Sequence, residues 1–182
     1  MTNKVLFLDR DGVVNVDHGY LYEPEKFEFI DGVFAGCKKF QQAGFQIIVI
    51  TNQSGIGRGY YTEQDFANLS SWMIEQFAKN GIKILDVFYC PHHPEKANPP
   101  YLQHCDCRKP APGMLLNAQQ QHQVNMAKSI MVGDKGSDMK AAVNAGVGRK
   151  FLVTSGQDLA ESDRTLADKV FSNLEQLADF VC

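Results

Sequence analysis

Phe7-Leu8-Asp9-Arg10-Asp11-Gly12 sets two carboxylates two residues apart, directly after an apolar run, Val5 to Leu8, that reads as a buried strand. Side chains two apart along an extended chain point the same way, so Asp9 and Asp11 begin on one side and Arg10 faces elsewhere. Gly12 then lets the backbone turn with no Cβ in the way. Two carboxylates at the end of a buried strand repel unless a cation or a shared proton compensates them. A hard, oxygen-seeking metal such as Mg²⁺ is the usual solution. The plainer reading is a strand-end turn, where Asp and Gly are common anyway. The rest of the chain decides between the two.

Outward from that stretch the chain alternates. Short β-rich runs occur at Val5–Leu8, Phe45–Ile50, Val87–Tyr89, Ile130–Val132 and Phe151–Val153, with helical patterns between them. The clearest helix begins at Thr62, which with Asp65 makes an N-terminal capping signal. Its apolar stripe is Phe66, Leu69, Met73 and Phe77, and it stops near Gly81. Others run from about Phe34 to Ala43, Met114 to His122, Ser137 to Ala145 and Leu174 to the end, with Ser172 and Glu175 as capping pair for the last. This alternation predicts an α/β fold with a doubly wound, mainly parallel sheet covered on both faces. No repeat and no linker divides residues 1–182, which read as one domain. Only Pro91 to Pro112, rich in Pro, His, Cys and charge, breaks the rhythm.

Composition narrows the class. A chain of 182 residues can bury roughly 70% of its unfolded surface in one core. The apolar share of 44% and charged share of 21% are those of a globular protein rather than a disordered one. A formal net charge of −3 argues against a nucleic-acid partner, which normally requires a basic patch. No apolar run approaches a membrane span, and Met1-Thr2-Asn3-Lys4 leads into a strand rather than a signal peptide. Five cysteines, three of them crowded into one loop, suggest metal binding in a reducing compartment, the cytoplasm.

Two further strand ends carry chemistry. Phe45 to Ile50 runs into Thr51-Asn52-Gln53-Ser54-Gly55, with Gly57 and Gly59 beyond, and offers hydroxyl and backbone donors to an anion. Its bland reading is a polar turn. Ser129 to Val132 runs into Gly133-Asp134-Lys135, and Ser137 and Asp138 then open a helix. Lys109 supplies a cation just before another helix. In an open parallel sheet, ligands bind beyond the C-terminal strand ends, where Asp9, Asp11, Thr51 and Asp134 all fall. A G-x-S-x-G elbow, a P-loop and a G-x-G-x-x-G after the first strand are absent. Phosphoryl transfer through a carboxylate fits instead: an acid nucleophile, a second acid for protons, a metal, a Lys and a hydroxyl.

D-R-D-G at 9–12, Thr51, Lys109 and G-D-K-x-S-D at 133–138 resemble the four motifs of the haloacid dehalogenase superfamily of phosphohydrolases, over nearly the whole chain. A closer resemblance, to the heptose-bisphosphate phosphatases of that superfamily, rests on Asp17-His18-Gly19-Tyr20, Thr51 to Gly55, Arg58-Gly59-Tyr60-Tyr61, Cys90 to Pro94 and Cys105 to Pro110. The resemblance implies a Rossmann-like fold with no separate cap domain, Mg²⁺, and a small phosphorylated sugar as substrate. It also implies a place in making nucleotide-activated heptose for lipopolysaccharide core. Asp9 is then the nucleophile that forms an aspartyl-phosphate. Asp11 protonates the leaving alkoxide and later takes a proton from water, and Thr51 and Lys109 neutralise the phosphoryl oxygens. Mg²⁺ is assigned to Asp9, Asp134 and the backbone carbonyl of Asp11, with Asp138 as ligand or supporting partner. Asp17, His18, Gly19, Tyr20, Asn52, Gln53, Ser54 and Lys135 join the substrate-binding set, and Arg108 is placed to read a second, distal phosphate. The runner-up is a histidinol-phosphate phosphatase, against which Arg108 counts, because a cationic amine gains nothing from it. A non-catalytic zinc-binding module is the reading from a different class. A monomer is expected.

Cys90-x-His92, then twelve residues, then Cys105-x-Cys107 supplies four N/S ligands of the kind a closed Zn²⁺ site uses. His93 and His104 are nearby competitors. Four protein ligands leave no open position, so the metal is expected to staple the loop and fix Arg108 and Lys109. Cys37, on a helix's apolar side, and the terminal Cys182 carry no signal.

Overall fold

Val5–Leu8 (β1) pairs in parallel with Gln46–Asn52 (β2) on one side and with Ile130–Gly133 (β4) on the other. Ile84–Cys90 (β3) extends the sheet beyond β2, and Arg149–Val153 (β5) and Lys169–Phe171 (β6) extend it beyond β4. The order is β3-β2-β1-β4-β5-β6, all parallel, so the chain reverses its direction of winding between β1 and β4. The structure, a computed structural model, describes residues 3–155 and 158–182; the Met1-Thr2 lead into the first strand lies outside the described residues.

Alternate strand residues enter two separate cores, as the two-residue period requires. Leu6, Leu8, Ile47, Val49, Ile130, Val132 and Phe151 pack with Val33–Gln42 (α1), Glu63–Lys79 (α3) and Leu174–Val181 (α7). Val5, Phe7, Ile48, Ile50, Met131 and Leu152 pack with Gly113–His122 (α4) and Gly136–Asn144 (α5). The near-continuous apolar strands of the sequence are therefore buried on both faces, the doubly wound α/β architecture expected. Two short helices complete the chain, Ser54–Gly57 (α2) and Glu161–Arg164 (α6). Among the described residues no helix is long and apolar enough to cross a membrane.

Local signals explain some element ends. Thr62 and Asp65 form the expected reciprocal capping box at the start of α3, and Phe66, Leu69, Met73 and Phe77 are its buried stripe. Several details differ from the sequence reading, beginning with β3, which starts at Ile84 rather than Val87, and α6, which was not anticipated. The cap of α7 is Asn173, whose side chain accepts from the Gln176 backbone N–H, rather than Ser172. The polar stretch after β2 is not simply a turn, since Ser54–Gly57 closes one helical turn. β6 was not anticipated, because three residues are too few to show a period.

Candidate active site and metal centres

β1 and β4 are neighbours at the reversal of winding, so the residues that follow them meet in one crevice. The backbone N–H of Asp9 donates to the carbonyl of Val132 (3.0 Å), which extends the ladder one step past β1. Asp9, Lys109, Asp134 and Asp138 are all buried. Lys109 Nζ lies 2.8 Å from Asp9 Oδ1 and 2.6 Å from Asp138 Oδ1, and donates to the Ile50 carbonyl at 3.0 Å. Burial alone would lower the pKa of Lys109, but Asp138 and Asp9 outweigh it and hold the ammonium charged. Burial, then Asp138, raises the Asp9 pKa well above the usual carboxylate range, and Lys109 offsets this only in part. Asp134 is pushed up to about 6 by burial and then by Asp138.

Three buried carboxylates thus crowd one buried ammonium, with the half-exposed Lys135 Nζ 4.0 Å from Asp134 Oδ2. Oxygens of Asp9, Asp134 and Asp138 lie within 4.8 Å of one another. Asp138 Oδ2 is committed to the backbone N–H groups of Asp134 and Lys135, while Asp134 Oδ1 is buried with no partner. An orphaned carboxylate oxygen amid excess negative charge fits a hard divalent cation. Gly12 makes the approach possible. It sits at φ +89°, and a Cβ there would fall 2.1 Å from Asp134 Oδ2.

Asp11 stands apart from that cluster, in a cradle of its own. Arg10 does not face away, as strand alternation suggested. The strand has already ended at Leu8, and the Arg10 guanidinium folds back to donate to Asp11 Oδ1 at 2.9 Å and to the Leu21 carbonyl at 3.1 Å. Asn15 Nδ2 (3.0 Å) and Gln53 Nε2 (3.0 Å) donate to the same carboxylate. Gln53 Nε2 also donates to Thr51 Oγ1 at 2.9 Å, and the Tyr61 hydroxyl donates to Gln53 Oε1. Arg10, Asn15 and Tyr61 were missed by sequence reasoning. The position of Arg10 between two acids, and the place of Tyr61 in the Arg58-Gly59-Tyr60-Tyr61 stretch of the family resemblance, were the only signals.

The crevice opens into a cavity of about 560 Å³ lined by Asp9, Asp11, Asp17, Gly19, Tyr20, Asn52, Gln53, Ser54, Arg108, Lys109 and Lys135, among others. Thr51 lies fully buried beneath it. Asn52 bonds the backbone of Lys109 twice, accepting from its N–H (3.0 Å) and donating to its carbonyl (3.2 Å), which ties β2 to the Lys109 loop. Lys135 Nζ reaches across the mouth to Asp17 Oδ2 at 3.5 Å. His18 is not brought into this group. Its Nε2 pairs with Glu28 at 3.2 Å, on a neighbouring hollow.

A second cluster joins Cys90, at the end of β3, with His92, Cys105 and Cys107, their ligand atoms within 4.8 Å of one another. The Cys90–Cys105 and Cys107–Cys105 sulfurs are 3.5 Å apart, and His92 Nδ1 lies 3.6 Å from Cys90 and 3.3 Å from Cys107. Tetrahedral zinc with Zn–S of about 2.3 Å sets its ligand atoms about 3.5–3.8 Å apart. The Cys90–Cys107 edge is tighter, at 2.7 Å. Cys107 is held down to about 5, chiefly by its hydrogen bond with Cys90, whose own pKa that bond raises. Of the competitors, His93 turns its Nδ1 to the N–H groups of Glu95 and Lys96, and His104 is exposed.

A family model of HAD-hydrolase-like proteins matches residues 106–178. A D-glycero-β-D-manno-heptose-1,7-bisphosphate 7-phosphatase of Vibrio cholerae is 45% identical over 181 residues, covering 100% of this chain and 97% of the relative. The Escherichia coli K12 protein of the same name is 48% identical over 172 residues, 94% of this chain and 90% of that one. The chain belongs to this phosphatase family, within the haloacid dehalogenase-like hydrolases. A solved D,D-heptose 1,7-bisphosphate phosphatase of B. bronchiseptica, complexed with magnesium and phosphate, superposes with a TM-score of 0.81 at 29% identity, over 98% of this chain and 97% of that one. The superfamily resemblance carried by Asp9–Gly12, Thr51, Lys109 and Gly133–Asp138 therefore extends to fold and family together.

Proposed function

We propose that this phosphatase removes the C7 phosphate of D-glycero-β-D-manno-heptose 1,7-bisphosphate, the compound in its relatives' names, by way of a phosphoryl group carried on Asp9. The observation that carries this reading is the buried Asp9–Lys109–Asp138–Asp134 cluster, set at the reversal of the sheet and open to one sugar-sized cavity. Asp9 attacks phosphorus in line, and Asp11 gives a proton to the departing C7 alkoxide. Asp11 then takes a proton from the water that releases phosphate, so two easier displacements replace one hard one. Lys109 offsets charge on the phosphoryl oxygens. The Thr51 hydroxyl accepts from Gln53 and spends its own proton only on a long bond to the Asn52 carbonyl (3.5 Å), from which it can turn to an oxygen of the same group. Asp138 holds Lys109 in place, and the Arg10–Asn15–Gln53 cradle orients Asp11.

Mg²⁺ would be held by Asp9, Asp134 and the backbone carbonyl of Asp11, and when bound it supplies positive charge against the phosphoryl oxygens. Zn²⁺ would be held by Cys90, His92, Cys105 and Cys107, as a staple rather than a reagent. Asp17, Gly19, Tyr20, Asn52, Ser54 and Lys135 make the sugar-facing wall, and His18 is left outside it. The reading extends to a single-domain, cytoplasmic monomer acting on a small phosphorylated sugar, with no nucleic-acid or membrane partner. The reaction serves the supply of nucleotide-activated heptose for lipopolysaccharide core.

A substrate panel tests the assignment. Turnover of the heptose bisphosphate is expected to exceed that of histidinol phosphate, and the reverse order overturns the assignment. Arg108 lines the cavity beside Lys109, and its guanidinium matches phosphate oxygens in pairs. Charge-assisted bonds are worth about 1.5–3 kcal/mol each, so Arg108→Ala is expected to lower kcat/KM for the bisphosphate by about 10- to 100-fold. A monophosphate lacking the distal group should lose far less. Equal losses on both substrates would count against a distal-phosphate role.

A further inference from the structure

Tyr61 lies between α2 and α3, buried, with its ring at the wall of the catalytic cavity. Gly55 leaves the space for it, since a Cβ there would fall 2.3 Å from the ring. Tyr22 stacks on the ring at 5.3 Å, and Ile56 and Phe66 share its apolar cluster. Burial pushes the phenol pKa up to about 12, so the hydroxyl stays a neutral donor near neutral pH. A ring packed in this way has one polar atom to place, and that atom is spent on Gln53 Oε1.

The sense of that bond decides what the rest of the Gln53 amide does. With Oε1 taken by Tyr61, Nε2 faces two oxygens, Asp11 Oδ2 at 3.0 Å and Thr51 Oγ1 at 2.9 Å, one for each of its hydrogens. The opposite sense would set Oε1 against the same two oxygens, one of them a carboxylate's. The Gln53 backbone is pinned by its N–H on the Cys90 carbonyl at 2.8 Å, so the sense of the amide is left to its side-chain partners. The two oxygens of Asp11 are also held differently. Oδ1 accepts from Arg10 at 2.9 Å and from Asn15 at 3.0 Å. Oδ2 has the Gln53 amide and a longer contact, 3.3 Å, from Arg10. With its lone pairs less occupied, Oδ2 is the oxygen free to carry a proton, and the Gln53 amide is what aims it.

We propose that Tyr61 is a positioning residue for the reaction: its phenol fixes the sense of the Gln53 amide, and that one amide aims both the acid–base oxygen of Asp11 and the hydroxyl of Thr51. Gln53 then serves the chemistry from behind the cavity wall, with no donor left for a sugar hydroxyl. The inference rests on the acid–base role given to Asp11 under Proposed function, and the test separates the two.

Rapid-quench experiments measure the rate of phosphoenzyme formation from heptose 1,7-bisphosphate and from 4-nitrophenyl phosphate. The alkoxide leaving from the sugar needs a proton, whereas 4-nitrophenolate leaves without one, so misplacing Asp11 should tell mainly on the sugar. Acid–base help is typically worth about 10²–10⁴-fold, and Tyr61→Phe, which keeps the ring, should forfeit about 10-fold of it on the bisphosphate with KM nearly unchanged. Its loss on 4-nitrophenyl phosphate, through Thr51 alone, should stay below about 3-fold. Gln53→Leu should lose at least as much as Tyr61→Phe, and the double variant no more than Gln53→Leu alone, because Tyr61 acts only through that amide. A purely structural Tyr61 would instead add its loss to that of Gln53 and would not distinguish the leaving groups. Asp11→Asn is the control and should lose at least about 100-fold on the bisphosphate and far less on the aryl ester. If Asp11→Asn loses equally on both substrates, the acid role of Asp11 falls and the inference falls with it. If Asp11→Asn shows the contrast while Tyr61→Phe loses equally on both or on neither, or while the double variant's losses add, the role of Tyr61 alone is overturned.

Discussion

Asp9→Asn is expected to reduce kcat by at least about 10⁴-fold, the scale on which removing a covalent nucleophile acts. The amide nitrogen and oxygen of asparagine do not displace an alkoxide from phosphorus, and no other carboxylate can take the role in place. Asp134 and Asp138 are anchored at the start of α5, and Asp11 is held in its own cradle of Arg10, Asn15 and Gln53. Folding should survive the change. Burial, Asp138 and Asp134 all disfavour the ionised form of Asp9, against its contacts with Lys109 and the Arg10 backbone N–H (2.8 Å), so a neutral amide of the same shape relieves repulsion. Tm should therefore be unchanged or slightly higher. Phosphate release gives the rate, and intact-mass spectrometry of acid-quenched enzyme gives the intermediate. Wild type should gain one phosphoryl group during turnover and Asp9→Asn none. Steady-state hydrolysis by the variant within about 10-fold of wild type, with contamination excluded, would end the covalent mechanism.

The parts of this site that the sequence displayed are those fixed by the sheet. Asp9, Thr51 and Asp134 were legible because each follows or ends a strand with a continuous apolar run, and parallel strands deliver their C-terminal ends to one edge. The four zinc-type residues were legible because three thiols and a histidine fall within a short proline-rich stretch that shows no apolar period of its own. What stayed hidden depends on contacts between segments far apart in the chain. Arg10 follows strand parity only while the strand lasts, and its return to Asp11 is set by Leu21 and by the loop that carries it. Gln53 read as a substrate ligand, yet its amide is spent on Asp11, Thr51 and Tyr61. Asn52 likewise holds the Lys109 backbone, a partner 57 positions away. Asp138 had the sequence context of an ordinary helix start. Only the structure brings Lys109 to its buried side chain.

Cys107→Ser should cost both the zinc and most of the activity, through the two residues that follow it. Wild-type protein is expected to carry about one tightly held Zn per chain, since four N/S ligands close a tetrahedral site. Serine is a poor substitute for a thiolate, and Cys107 is the thiol whose pKa, near 5, already favours the ligating form. Without the metal, crowded sulfurs and a ring nitrogen lose the charge that draws them together. The loop has little else to hold it, with prolines at 91, 94, 99, 100, 110 and 112 and few buried side chains between. Lys109 comes two residues after Cys107 and depends on the same segment to reach Asp9 and Asp138. A displacement of about 1 Å in such a group can cost on the order of 100-fold, so kcat should fall by about that factor while the sheet stays intact. Hydrogen exchange should show loosening confined to residues 91–112, and elemental analysis should show the loss of zinc. Zinc-free protein, whether the variant or chelated wild type, that kept wild-type turnover and wild-type protection across 91–112 would reject the staple. The cluster would then be only one buried and two half-buried thiols beside the site.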